Sequence, residues 1–170
     1  MPLNPYDFSV AVFVRGLTNL KACLAKAEAH ASANGLEPLA LIHARLASDM
    51  YDLATQIHWA AEGAKLAIDR LMGTKAPPPP AIERTTFAEL HEAIDAAIVY
   101  LKAVDPQVLE RGLDATIEIP ARSGTITFAG AQFLAQFALP NFFFHMTAAY
   151  AILRERGVPL TKNEFMGPMG

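Results

Sequence analysis

Near the C-terminus the chain reads FALPNFFFHMTAAYAIL, residues 137 to 153. This apolar run holds one amide, Asn141, and one imidazole, His145, four residues apart. On a helix that spacing puts both on one face, together with Leu134, Ala138, Ala148 and Ile152. Phe142, Phe143, Phe144 and Met146 make the same turns apolar on every side, the pattern of a buried helix. A buried imidazole and a buried amide both need partners, so the pair is expected inside the protein or along a cavity. An imidazole so placed could serve as acid or base or as a metal ligand.

A second polar series, Arg45, Asp49, Asp52 and Gln56, follows at intervals of four, three and four. It runs beside the apolar stripe Leu46, Met50, Leu53 and Ile57. That places Asp49 at a helix seam, where its carboxylate could orient His145 and favour the charged ring. His43, next to Ile42, could enter the same site or face solvent. The candidate ligand-binding set is therefore Arg45, Asp49, Gln56, Asn141 and His145, walled by Met50, Phe142, Phe144 and Met146. Few polar groups in an apolar pocket is how small-molecule sites are built, and Arg45 would hold an anionic group. Plainer readings exist for the same residues. Arg45 and Asp49 suit a surface i, i+4 pair. Asn141 could serve the carbonyl that Pro140 leaves without its N–H partner. His145 could be a satisfied core histidine. His30, His58 and His91 read as exposed.

The elements that must position these groups follow from period. Residues 6–33 carry Val10, Phe13, Leu17, Leu20, Leu24, Ala27 and Ala31 at alternating threes and fours, an amphipathic helix ended by Asn34-Gly35. Pro38 opens a second helix with an inward stripe from Leu39 through Ile42, Leu46, Met50, Leu53, Ile57 and Ala60 to Leu71, ended by Gly73. That helix would be on the order of 50 Å long, which allows a bend or a break. A proline-rich crossover, residues 74–84, is expected to be extended. Thr86 and Glu89 have capping-box spacing and start a third helix that Asp105-Pro106 stops. Residues 114–129 switch to period two with Ser123-Gly124 in the turn, a β-hairpin. A fourth helix spans about Ala131 to Arg156, and residues 158–170 have no period and read as a loosely packed arm. Together these elements predict one all-α domain over residues 1–170, a four-helix bundle with a small hairpin between helices three and four. The long second connection permits an up-down-down-up order.

Of the 170 residues, 52% are hydrophobic and 18% charged, enough apolar surface for one sizeable core and inconsistent with a disordered chain. The net charge is −3 with no Lys/Arg cluster, so no nucleic-acid partner is expected. The segment from Phe128 to Leu153 carries Gln132, Gln136, Pro140, Asn141 and His145, too many polar groups for a membrane span. No signal peptide is recognisable. Cys23, the single cysteine, lies in a helical pattern and reads as a small core residue. A lone cysteine makes no internal disulfide, which suits a reducing, cytoplasmic setting.

The segments FVRGLTNL, ARLASDMYDLATQI and FALPNFFFHMTAAYAILRERGVPL resemble the DUF1993 family, grouped with the DinB/YfiT-like four-helix bundles. The resemblance runs over nearly the whole chain and implies an up-down-down-up order with a long crossover. Many DinB-like proteins bind a divalent metal, zinc or nickel, through one histidine of helix two and two of helix four, spaced four apart. Some use it in thiol-dependent transferase or isomerase chemistry. Here the helix-four pair corresponds to Asn141 and His145, and the helix-two position falls near Asp49 or His43. An amide in place of an imidazole makes a poorer zinc set, with Asp49 and His145 the remaining metal candidates. The expectation is small-molecule binding in a bundle pocket that carries a degenerate, metal-free site. The alternatives are a divalent-metal-dependent transferase or hydrolase, and a structural protein whose polar residues fix helix register. The run Phe142-Phe143-Phe144 cannot point wholly inward, so a homodimer is expected.

Overall fold

A computed structural model describes residues 4–74, 84–121 and 124–168. Helix α1 (Val10–Asn34) buries the stripe that its sequence predicts, Phe13, Leu17, Leu20, Leu24 and Ala27 among it, and Gly35 closes it in the left-handed conformation at φ 61°. Cys23 is buried on the same face. Burial, reinforced by the nearby Glu164 carboxylate, pushes its thiol up to about 11, which suits packing and not nucleophilic chemistry.

The long second helix is in fact broken. A short α2 (Pro38–Ile42) and α3 (Leu53–Met72) flank a connector, residues 43–52. The break has a local cause. Asp52 adopts the extended conformation of an N-cap, and its carboxylate accepts from the Thr55 backbone N–H at 2.9 Å and from Thr55 Oγ1 at 2.6 Å. Arg45 Nη1 donates to the Met50 carbonyl at 2.5 Å, and Leu53 N–H donates back to Ala44 at 2.9 Å, so the connector is tied down by its own polar groups.

Helix α4 (Phe87–Lys102) begins with the expected capping box, Thr86 and Glu89 each bonding the other's backbone N–H. A further short helix α5 (Pro106–Gly112), capped by Asp105, follows. Strands β1 (Thr116–Ala121) and β2 (Gly124–Ala129) pair antiparallel, Ile119 opposite Ile126. Ser123 and the prolines of the expected crossover lie outside the described residues. Helices α6 (Gly130–Phe133) and α7 (Leu139–Glu155) are joined by a π-helical turn, Leu134–Ala138. The wide turn falls where Pro140 can donate no hydrogen bond to the carbonyl of Gln136 and would crowd it.

The C-terminal segment departs from the expected loose arm. Val158 and Leu160 are buried, and Thr161 and Glu164 form a capping box that starts α8 (Lys162–Met166). Side chains of α1 hold it: Arg15 donates to the Met166 and Pro168 carbonyls at 2.9 and 2.8 Å, and Asn19 to Phe165 at 3.1 Å. Backbone-directed polar contacts leave no periodic trace, which is why the sequence reading missed them.

Helix α3 packs on α4 and α7, and α1 packs on the same two helices. Among the described residues no helix is long and apolar enough to cross a membrane. The α1–α7 contact is unusually close. A Cβ on Gly16 would stand 2.6 Å from the Phe142 ring and 2.7 Å from Met146 Sδ, both buried. Gly16→Ala is therefore expected to cost about 1–3 kcal/mol through overpacking and to lower Tm by several degrees in thermal melts followed by circular dichroism. An unchanged Tm would show that α7 can move away freely.

Candidate functional site

A cavity of about 380 Å³ lies between α3 and the α6–α7 run. On α3, Trp59, Gly63, Leu66 and Arg70 follow at four, three and four residues and form one stripe along its wall. Opposite them stand Phe133, Phe137, Asn141 and His145, each four residues from the last. On a regular α-helix a strict spacing of four drifts by about 40° per step. The widened turn before Pro140 offsets part of that drift and helps hold the four on one face.

His145 is 7% exposed, and its Nδ1 lies 2.8 Å from Gln56 Oε1. Gln56 is 1% exposed, and its Nε2 donates to the Tyr51 carbonyl at 3.4 Å. That carbonyl is available because the Asp52 cap takes the Thr55 N–H, which in an unbroken helix would bond residue 51. With the amide turned this way, Oε1 faces the imidazole and Nδ1 carries the proton. Nε2 is left as a lone-pair acceptor with no partner among the described residues, on a ring that lines the cavity. Burial pushes the imidazole below its ordinary value near 6.5, so the ring is neutral at physiological pH.

Asn141 is half-buried beside it and has no hydrogen-bond partner among the described residues; its Nδ2 lies 3.7 Å from where a Gly63 Cβ would stand. Arg70 is the charged side chain of the wall. No lining residue is acidic, and Arg70 forms no ion pair among the described residues.

A family model for DUF1993, a domain of unknown function, matches residues 5–166. The chain belongs to the DUF1993 family. It is also similar to the crystal structure of a DinB family member protein from Shewanella denitrificans, at 34% identity and a TM-score of 0.90 over 96% of this chain and 92% of that one. No curated protein matches.

Within this DUF1993 protein the residues singled out from sequence separate into two groups. Gln56, Asn141 and His145 come together at the cavity. Arg45 and Asp49 do not: both are exposed on the connector, off the cavity wall. Asp52 Oδ2 instead receives His43 Nδ1 at 3.2 Å and Arg45 Nη2 at 3.5 Å. Burial pushes the Asp52 carboxyl up, but the bonds from Thr55 and His43 and the Arg45 charge outweigh it and hold it below the usual range. The expected walls also shift. Phe142 and Met146 pack on Gly16, and Phe144 is exposed. His58, read as exposed, is 1% exposed beside Arg84 Nη1 at 3.0 Å. His30 and His91 are half-buried, His91 lying 3.6 Å from Glu28.

The donor set fits a divalent metal poorly. Among the described residues no three His, Cys, Asp or Glu side chains converge. The polar neighbours of His145 are two neutral amides, which are weak ligands, and one of them already holds Nδ1.

Sequence reasoning missed Tyr51, Trp59 and Arg70. The signal was present as a stripe at 59, 63, 66 and 70, next to the apolar face. Taking helix two as continuous from Pro38 drew Arg45 and Asp49 into the site instead.

The histidine also sets a pH dependence. Its folded value lies below its unfolded one, so the unfolded chain takes the proton first, and stability is lost as pH falls below about 6.5. In urea unfolding at pH 7.5 and 5.5 the His145→Met variant should lose less on acidification than the wild type. An equal loss would mean that the ring is not desolvated.

Proposed function

We propose that this DUF1993 protein binds a small organic molecule in the cavity between α3 and α7. The observation that carries the proposal is the neutral, oriented His145, whose Nε2 has no partner among the described residues, on a cavity wall that is largely aromatic and aliphatic. The ring lines the cavity, where Nε2 can accept from a ligand donor, and a cavity of about 380 Å³ falls in the range of small-molecule sites. The position of a proton acceptor suits hydrogen bonding to a ligand or general-base chemistry on it. The metal-dependent alternative is less well supported, since the cavity offers His145 amides in place of further imidazoles or carboxylates.

Gly63 adds support. A glycine inside a helix costs about 1 kcal/mol relative to alanine. Packing does not require one here, because the nearest neighbour to an added Cβ is 3.7 Å away, an ordinary contact. What the missing side chain supplies is open volume against Asn141. Gly63→Leu should therefore fold with an equal or higher Tm and bind the neutral fluorophore N-phenyl-1-naphthylamine roughly tenfold or more weakly than wild type. Undiminished binding by a stable Gly63→Leu protein would remove the cavity as the site.

A homodimer is a second reading, favoured by Phe143 and Phe144, which α7 exposes by 41% and 56%. Sedimentation of wild type and Phe144→Ser checks it: a dimer that the substitution dissociates is expected, and a wild-type monomer at micromolar concentration would contradict it.

A further inference from the structure

The same cavity points to a class of ligand, an inference that rests on the cavity being a binding site. The wall is lopsided in charge. It carries a guanidinium, Arg70, and no carboxylate. Arg70 also forms no ion pair among the described residues, whereas Arg45 has Asp52, Lys21 has Asp95 and Lys26 has Glu164.

Position matters as much as charge. Gln56, which holds His145, and Arg70 are separated by roughly 21 Å of rise along α3. Gly63 lies between them, with Asn141 across from it. The imidazole acceptor and the cation therefore mark opposite ends of the site. Side chains lean toward the N-terminus of their helix, so Arg70 leans back over Leu66 toward the middle. Between the ends the wall is aromatic. Phe133 and Phe137 stack with centroids 5.8 Å apart at 20°, and Trp59 stands on the other side.

Each end selects a different group. A planar guanidinium with several donors and no acid to satisfy it takes an oxyanion, often in bidentate fashion. Nε2 of a neutral ring protonated at Nδ1 can only accept, so it takes an O–H or N–H donor. Asn141, able to donate or accept, tolerates a polar substituent between them.

We propose that the ligand is a small organic acid with a flat apolar body, its anionic head on Arg70 and a hydroxyl or N–H group on His145 Nε2. Arg70 is then a specificity-determining residue, and the helix-two break acts indirectly by turning the Gln56 amide.

Two fluorophores of like body separate this inference from the binding proposal. One is 1-anilinonaphthalene-8-sulfonate, an aromatic anion whose sulfonate probes the Arg70 end alone, since its N–H lies beside that sulfonate. The other is N-phenyl-1-naphthylamine, the same framework without the sulfonate. Titrations would use wild type, Arg70→Met and the cavity-filling Gly63→Leu. Arg70→Met is expected to weaken the sulfonate about tenfold and to change the neutral dye less than twofold. Gly63→Leu should weaken both. If both dyes depend on Gly63 but Arg70→Met leaves the sulfonate unchanged, or weakens both dyes alike, the anionic class is overturned and the cavity stands. If neither dye binds, or both bind Gly63→Leu as well as wild type, the binding proposal fails and this inference falls with it.

Discussion

A single buried hydrogen bond, His145 Nδ1 to Gln56 Oε1, organises this site. It joins α7 to α3 across their shared interface, and both side chains are almost wholly removed from water. Leaving either group unpaired there would cost about 1–3 kcal/mol, so the bond discriminates against other registers of the two helices. It also decides the chemistry, because holding Nδ1 leaves Nε2 as an acceptor. The bond depends in turn on a chain of smaller choices. Asp52 caps α3 by taking the Thr55 N–H, the Tyr51 carbonyl is freed, and Gln56 Nε2 turns toward it. A helix that continued unbroken through residues 43–52 would lose that orientation. The break is part of the site, and Tyr51 of the connector, whose carbonyl accepts from Gln56, also lines the cavity.

Two glycines show packing and openness arising from the same residue type. Gly16 is needed because Phe142 and Met146 fill the space where its side chain would be. Gly63 is not needed for packing, since nothing lies closer than an ordinary contact. The first lets α1 and α7 approach; the second leaves open volume between α3 and α7. Pro140 works with them through the wide turn that precedes it, which bears on how Phe133, Phe137, Asn141 and His145 align. The cavity is thus a product of backbone devices as much as of the side chains that line it.

Much of the scaffold was legible in the residues. The stripes of α1 and α4, the capping box at Thr86 and the period-two hairpin depend on local rules, and local rules can be read from one sequence. The DUF1993 resemblance, carried by segments of α1, of the connector and α3, and of α7, holds. The half of the site on α7 was legible too, because Asn141 and His145 contradict an otherwise apolar helix. The half on α3 was not. Arg45, Asp49, Asp52 and Gln56 obey helical spacing, yet the N-cap preference of Asp52 overrides the period, and only Gln56 keeps its expected direction. His58 looked exposed among its neighbours and is buried, since tertiary packing from Arg84 and the adjoining helix leaves no mark in the local pattern. The docking of α8 on α1 escaped for a similar reason: its contacts run from side chains to backbone carbonyls more than a hundred residues away.

The most direct test of this account is the protonation state of one ring. Long-range ¹⁵N–¹H correlation spectra of the histidines, with His145 assigned by its loss in His145→Met, report which nitrogen carries the proton. A neutral ring is expected, with the proton on Nδ1 and an unprotonated Nε2 at pH 7, persisting on acidification below the ordinary value near 6.5. A proton on Nε2, or a ring already charged at pH 7, would contradict it: the acceptor facing the cavity would not exist, and the Gln56 amide would have to lie the other way.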